Sequence, residues 1–317
     1  MAEVSLSRSQ LMLLAGSANR PLAEEIAAHL KQPLCQVTIR RFADGELFVK
    51  IDENVRGRDV YVIQPTNPPA ENLVELLLLI DAARRASAAR ITAVIPYYGY
   101  ARQDRKDQPR VAISAKLMAN LVSTSGADRV LGMDFHSHQM QGFFDVPVDH
   151  LYAAPVLTAH YRQKHLHDPV VVAPDVGSAK MARGFAKRLN ASLAIIDKRR
   201  PSANIAEVVN VVGEVESKDC LIPDDLIDTA GTVSEAAAAL KRLGARRVFV
   251  CATHALLSGP AVERLCGAPI DEVAVANTIV VPESKRFGKL VVLSVGSLLA
   301  TAIANTHRDK SVSSLFD

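Results

Sequence analysis

Residues 224–232 read DDLIDTAGT. Asp224, Asp225 and Asp228 are followed at once by a run of small residues, Thr229, Ala230, Gly231 and Thr232. An apolar run, CLIP (220–223), precedes the acids, and the amphipathic stretch TVSEAAAALKRLG follows the loop. That order places the Thr-Ala-Gly-Thr segment at the N-terminus of a helix that begins after a strand. Unpaired backbone N–H groups and the helix dipole make such a position a seat for phosphate. Gly231 lets the backbone approach a ligand, and the two threonine hydroxyls add donors. The acids repel an anion. They suit sugar hydroxyls as acceptors, or support of a magnesium shell. A ribose phosphate satisfies both halves of the motif, hydroxyls for the acids and phosphate for the loop. An acidic N-cap turn is the plain structural alternative.

Other segments carry chemistry of the same kind. In DKRRPSAN, Lys198 and Arg200 stand two positions apart, on one side of an extended segment, with Pro201 next. They read as cations on a loop after a strand. In DFHSHQ, His136 follows the run RVLGMD, with Asp134 two residues before it. In APDVGSAK, Asp175 again stands after a strand-like run and before a helix-like one. In ARQDRK, Arg102 can fork onto phosphate or stack on a base, and Gln103 can pair with a base edge. In FADGE (42–46), Asp-Gly between two strand-like runs is a hairpin signal.

The elements that must position these residues follow a repeated rhythm of short β-rich run, loop and amphipathic helix. Strands are predicted at 11–15, 59–64, 90–96, 129–134, 169–174, 192–197, 220–223, 247–252 and 290–295, and helices at 20–30, 71–86, 113–124, 177–189, 231–243 and 296–305. Several strand segments are apolar on consecutive residues, as strands covered on both faces are. The expected class is α/β, with mainly parallel sheets flanked by helices. Two segments echo each other: GADRVLGMDFH (126–136) and GARRVFVCATH (244–254). Gly126 and Gly244 fit the left-handed position that ends a helix. The echo favours two related α/β halves, 1–150 and 151–317. Pro223 suits a strand end, so the run at 220 is expected to stop at Ile222.

Composition sets outer limits. The chain has 317 residues, 49% apolar and 22% charged, which is a globular composition with room for two domains. The formal charge of +3 gives no reason to expect nucleic acid or a membrane surface as partner. Cys35, Cys220, Cys251 and Cys266 form no CxxC pair, which reads as reduced thiols of a cytoplasmic protein. The N-terminal run lacks a secretory h-region of normal length, and the longest apolar run, LVELLLLIDAA, contains Glu75 and Asp81 and is too short to span a bilayer.

DDLIDTAGT resembles the phosphoribosyl-pyrophosphate loop of type I phosphoribosyltransferases. RRFADGELFVK, YYGYARQDRKDQPR, DFHSHQMQGFF, APDVGSAK, DKRRPSAN and the terminal SVSSLF narrow this: in order and spacing they resemble the ribose-phosphate pyrophosphokinases. The resemblance covers nearly the whole chain. It implies two phosphoribosyltransferase-like domains, the first on the ATP side and the second holding ribose 5-phosphate. The implied reaction transfers the β,γ-pyrophosphoryl group of Mg-ATP to O1 of ribose 5-phosphate, releasing AMP.

The resemblance also implies residue roles. Phe42, Asp44, Gly45 and Glu46 form a hairpin tip that reaches a neighbouring subunit's adenine; Arg102, Gln103 and His136 bind ATP. His136 and Asp175 serve magnesium. Asp224, Asp225, Asp228 and Thr229 to Thr232 hold ribose 5-phosphate. Lys198 is the catalytic lysine and Arg200 its companion, which also meets ribose 5-phosphate. A regulatory anion site would draw on Arg56, Ser87, Arg110, Ser311 and Ser313, with phosphate and ADP as effectors, in a homo-oligomer expected to be a hexamer. The sequence departs from the family at four points: His138 replaces a small residue, Ser178 a second glycine, Pro223 an aliphatic residue and Asn54 a serine. A plain phosphoribosyltransferase would lack the 42–46 and 101–107 segments. A non-catalytic regulatory subunit would have lost Lys198, Arg200, His136 or Asp175. A nucleic-acid-binding regulator would carry a recognition helix.

Overall fold

The computed structural model describes residues 10–199 and 208–316. The chain divides into two compact units, Met1–Tyr152 with Val295–Asp317, and Ala153–Ser294. The expected division at 150 keeps 295–317 with the second half. Compactness groups that segment with the first.

The first unit opens with β1 (Leu11–Ala15), α1 (Arg20–Leu30), a hairpin of β2 (Val37–Arg41) and β3 (Leu47–Ile51), and β4 (Asp59–Ile63). It continues through α2 (Glu71–Arg85), β5 (Arg90–Ile95), α3 (Ser114–Ser125), β6 (Arg129–Met133) and β7 (Val148–Leu151). Its main sheet is parallel throughout, in the order β1-β4-β5-β6-β7. All five residues of β4 are buried. That continuous burial is why the strand reads VYVI without polar alternation: helices cover both faces. The antiparallel β2–β3 pair closes over Gly45, whose φ of +96° is cheap only for glycine.

The second unit contains α4 (Ala154–Arg162), β8 (Val170–Ala173), α5 (Ala179–Leu189), β9 (Ser192–Arg199), β10 (Val208–Val212) and β11 (Asp219–Ile227). Then come α6 (Gly231–Arg242), β12 (Arg247–Ala255), α7 (Ala261–Gly267), β13 (Glu272–Ala276) and β14 (Leu290–Leu293). The sheet order is β10-β9-β8-β11-β12-β13-β14, with only β10 antiparallel to its neighbour. The chain runs from β8 outward to β9, then returns to the other side of β8 with β11. The strand order therefore reverses between β8 and β11, the place where open α/β sheets bind ligands. The last helix, α8 (Gly296–His307), belongs to the first unit.

Two expectations need correction. The strand containing Pro223 does not stop at Ile222; β11 runs on to Ile227, with Pro223 opposite Cys251 of β12. The ladder to β8 ends at Leu221, so Pro223 lies where β11 has one partner strand, and its missing N–H disturbs no second ladder. The echo also joins positions that are not equivalent. β8-β11-β12-β13-β14 repeats β1-β4-β5-β6-β7, which makes β12 the counterpart of β5, while the first echo segment leads into β6. Gly126 and Gly244 do adopt positive φ, +115° and +83°. A left-handed glycine followed by a strand recurs at many helix–strand junctions, which suffices for such a match.

Hydrogen bonds mark the true correspondence. Asp59 on β4 receives both Nε and Nη2 of Arg90 on β5 (2.8 and 2.5 Å). Asp219 on β11 receives the same two atoms of Arg247 on β12 (3.1 and 2.5 Å). The Ile91 amide donates to Asp128, and the Val248 amide to Asp271.

All four cysteines are free, three of them buried. Burial pushes the Cys35 thiol up to about 11 and the Cys220 thiol up to about 12, which leaves both protonated and unreactive at neutral pH. Among the described residues no helix is long and apolar enough to cross a membrane.

Candidate active site

In the second unit the reversal between β8 and β11 is flanked by two loops. β8 leads into Asp175, and β11 carries Asp224 and Asp225 into the turn before α6. The Asp175 loop is closed locally: the Ser178 amide donates to the Asp175 carboxylate at 2.8 Å, and the Ser178 hydroxyl donates to the Asp175 carbonyl at 2.9 Å. The serine that replaces a glycine is therefore part of the turn.

Asp224 and Asp225 are half-buried residues of the strand rather than of a loop after it. Adjacent strand residues point to opposite faces, yet the Asp225 amide donates back to the Asp224 carboxylate at 2.9 Å. Burial pushes the Asp224 carboxyl up to about 8, reinforced by the neighbouring carboxylate of Asp225 and, more weakly, Asp175. Acidic groups crowded in this way hold a proton unless a cation or sugar hydroxyls take its place.

The turn that follows is pinned from behind. The Ser258 amide donates to the Asp228 carbonyl at 2.8 Å, and the Leu256 and Leu257 amides donate to the Ile227 carbonyl. Ala230 adopts the left-handed region at φ +59°, the sharp step that starts α6 at Gly231. The N-cap residue, Ala230, makes no side-chain cap, and the N–H groups of the first turn lie at the positive end of the helix dipole. Arg264 of α7 donates Nη1 to the Thr229 carbonyl at 3.0 Å, bringing a guanidinium to the rim of the loop. Nothing local in the sequence pointed to Arg264. Lys198 lies in β9, its backbone opposite Val209 of β10. Arg200 lies outside the described residues.

In the first unit the residues expected to bind ATP, Arg102, Gln103 and His136, fall on loops after β5 and β6. Arg102 and Gln103 are exposed. The Gln103 carbonyl accepts the Ala115 amide, and its side chain accepts from the Ser114 hydroxyl, which fixes it to the start of α3. His136 is exposed, flanked by Asp134 at φ +39° and by buried Phe135. Tyr98, after β5, meets Phe135 edge to face at 5.6 Å and Phe144 at 5.5 Å. Gln139 reaches Asp104 at 3.5 Å. These contacts bring the loops of Arg102 and His136 together. Phe42 is exposed at the hairpin tip, edge-on to Phe48, and Arg40 lies over Phe48 at 4.4 Å. Asp44 accepts the Glu46 amide at 3.1 Å, the Asx turn that shapes the tip.

Ser311 and Ser313, linked at 2.8 Å, line a cavity of about 760 Å³ in the first unit. Their companions there include Arg90, Arg129, Lys310 and Gln141 rather than Arg56, Ser87 or Arg110. The Ser87 carbonyl accepts the Gly57 amide, beside Arg56, and the Arg56 amide donates to Asn54 at 3.0 Å. Asn54 thus replaces a serine with another turn-forming residue.

With crowded acids at a sheet's switch point and an uncapped helix start beside them, the class is an α/β protein that handles phosphorylated sugar-like ligands. Residues 11–126 match the N-terminal domain of ribose phosphate pyrophosphokinase, and residues 198–317 match the phosphoribosyl synthetase-associated domain. A ribose-phosphate pyrophosphokinase of Nostoc is 55% identical over 97% of this chain and 94% of its own length. A chloroplastic ribose-phosphate pyrophosphokinase of Arabidopsis thaliana is 52% identical over 99% of this chain and 79% of its own. The crystal structure of phosphoribosylpyrophosphate synthetase from Mycobacterium smegmatis is similar at a TM-score of 0.88 and 44% identity, over 95% of this chain and all of that one. The chain belongs to the ribose-phosphate pyrophosphokinase family.

Proposed function

We propose that the protein transfers the β,γ-pyrophosphoryl group of Mg-ATP to O1 of ribose 5-phosphate, giving 5-phosphoribosyl 1-pyrophosphate and AMP. A bond forms from O1 to the β-phosphorus, and the bond from that phosphorus to the oxygen retained by AMP breaks. The observation that carries this reading is the β11–α6 segment: Asp224 and Asp225 crowded beside Asp175, next to an uncapped helix start rimmed by Arg264. The ribose 5-phosphate takes its phosphate to the amides of Thr229, Ala230, Gly231 and Thr232, and its hydroxyls to Asp224, Asp225 and Asp228.

On the nucleotide side, Arg102, Gln103 and His136 bind ATP, and Phe42, Asp44, Gly45 and Glu46 contribute adenine contacts from a neighbouring subunit. Lys198 and Arg200 stabilise the charge that develops as AMP leaves, a contribution of roughly 3–4 kcal/mol for one such contact. Magnesium fits this donor set. Among the described residues no three His, Cys, Asp or Glu side chains form a ready-made cage. Magnesium is commonly held by one or two carboxylates together with substrate phosphates, as Asp175 and the Asp224–Asp225 pair allow. His136 is the proposed ligand in the first unit. When bound, the ion neutralises phosphate charge.

Phosphate and ADP are the proposed effectors, and a cytoplasmic homohexamer the proposed assembly. Asn54 alters the response to phosphate without abolishing it; initial rate titrated against phosphate reads this, and a flat response counts against it. The central test is AMP formation from Mg-ATP with and without ribose 5-phosphate. Sugar-dependent AMP supports catalysis. No AMP, combined with stimulation of an active homologue, would mark a regulatory subunit instead.

A further inference from the structure

The cavity that Ser311 and Ser313 line reaches His150, the third residue of β7. The imidazole Nε2 accepts the backbone amide of Phe135 at 3.1 Å, and Nδ1 stands 3.3 Å from the side-chain amide of Gln141, another cavity residue. A backbone N–H can only donate, so Nε2 carries the lone pair and the neutral ring carries its proton on Nδ1. Gln141 presents its side-chain amide to that N–H, and the amide oxygen is the atom able to accept from it. The same ring stacks on Tyr152 at 4.6 Å and 29°, and Tyr152 meets Phe316 of the C-terminal segment edge-on at 5.3 Å.

Phe135 immediately precedes His136. Its ring is wedged against Gly132, where a Cβ would come within 2.2 Å, and against Tyr98 and Phe144. The 134–135 backbone is tied to β7 by two bonds: the Asp134 amide to the Leu151 carbonyl at 2.9 Å, and the Phe135 amide to His150. The first is an ordinary strand bond. The second depends on a side chain that also walls the cavity.

We propose that His150 is a positioning residue that sets the His136 loop through the Phe135 amide and reports occupation of the C-terminal cavity by an anion such as inorganic phosphate to that loop. The transmission half rests on the cavity being an anion site. An anion held by the serine hydroxyls and Lys310, with Arg129 shared with Asp149 at 2.6 Å, competes for Gln141 and shifts the Tyr152–Phe316 contact, and both partners bear on the ring. A change in ring position is felt at Phe135 because the wedged aromatic leaves little slack.

The test compares the full-length protein with His150→Phe, which keeps a flat ring without an acceptor, and His150→Gln, which keeps an acceptor. Steady-state kinetics in both substrates are combined with phosphate titration of the rate and calorimetric phosphate binding. His150→Phe should lower kcat/KM for Mg-ATP by about tenfold and leave the KM for ribose 5-phosphate within about twofold. It should still bind phosphate while its rate stays flat. His150→Gln should recover most of the Mg-ATP loss. Parent-like Mg-ATP kinetics in His150→Phe, an unchanged phosphate response, or no recovery in His150→Gln would overturn the proposal. If His150→Phe does not fold, Gln141→Leu decides: a phosphate response reduced at least about threefold supports the link, and a full response removes it. A parent protein that neither binds nor responds to phosphate would sink the anion-site reading alone, and the Mg-ATP arm would still judge His150.

Discussion

The first βα loops of the two units occupy the same place in the repeated topology and are filled differently. In the second unit β8 leads to Asp175 and Ser178, with Asp224 nearby still crowded enough to hold a proton. In the first unit β1 leads to Gly16, Ser17 and Ala18, and a buried carboxylate sits on that loop. Glu75 of α2 accepts the Ser17 amide at 2.5 Å, the Ser17 hydroxyl at 2.7 Å and Gln64 Nε2 at 2.9 Å, while Gln64 Oε1 accepts the Ala18 amide at 3.1 Å. A Cβ on Gly16 would lie 2.3 Å from Gln64, so the closure is tight. One loop is built into the core; the other leaves Asp175 exposed. The fold is thus a frame that does not by itself dictate where chemistry occurs. In the first unit the residues proposed to bind ATP lie after β5 and β6.

The Asp–Arg clamps extend the contrast. Asp219 adds the His167 amide as its further donor at 2.7 Å, a local contact. Asp59 instead adds His307 of α8 at 2.6 Å and the Tyr61 hydroxyl, and Arg90 reaches on to the Thr306 carbonyl and Asp309. A clamp that only closes the second sheet also anchors the C-terminal segment in the first.

The largest expected effect tests whether catalysis belongs to the second unit's strands β9 and β10, which join its main sheet, whereas β2 and β3, at the same place in the first unit's chain order, form a separate pair. Lys198→Ala should lower turnover by about a thousandfold while changing substrate KM values only a few-fold, read by AMP release. Near-normal turnover would remove the asymmetry. Next, Arg90→Met and Arg247→Met each strip a buried aspartate of its bidentate partner, and each should destabilise its own unit by roughly 3 kcal/mol. Amide exchange should rise in the affected unit, and only Arg90→Met should also blunt the phosphate response. Equal behaviour would show that the clamps are interchangeable.

A smaller effect follows from Asp224. Its folded value of about 8 lies above the ordinary 3.8, so the folded protein holds a proton that the unfolded chain has lost across this window. Stability contributed by the protonated group therefore falls as pH rises from about 4 to about 8. Asp224→Asn removes that fall, and its Tm advantage over the parent should grow steadily as pH rises toward about 8.5. A Tm difference independent of pH would refute the crowding. Smallest is Glu75→Gln, which should cost about 1 kcal/mol of stability and leave the KM for ribose 5-phosphate unchanged, since this carboxylate serves the fold. A raised KM would place Glu75 in the chemistry.

Much of this was legible in local runs. Consecutive apolar residues marked the buried parallel strands, Asp-Gly marked the hairpin at Gly45, and CLIP followed by DDLIDTAGT marked a strand and an open helix start, although the strand runs on through the acids to Ile227. Short elements were less legible. β13, EVAVA, is five residues long and became a strand because β12 and β14 pair with it on either side.

By itself the amino-acid sequence determined the α/β class, the acids and small residues of the 224–232 segment, and the order of segments that defines the family. Those depend on residues a few positions apart, where backbone propensity and side-chain period act directly. The tertiary structure alone decided what lies across from them: Arg264 on a loop 35 residues away, Glu75 on an amide 58 residues away, and His150 beneath Phe135. It also carried β11 past Pro223, because β12 supplies the ladder on the one side that proline leaves open. Such pairings are set by strand order and helix docking, and these satisfy buried polar groups wherever the packed chain brings donors and acceptors within reach.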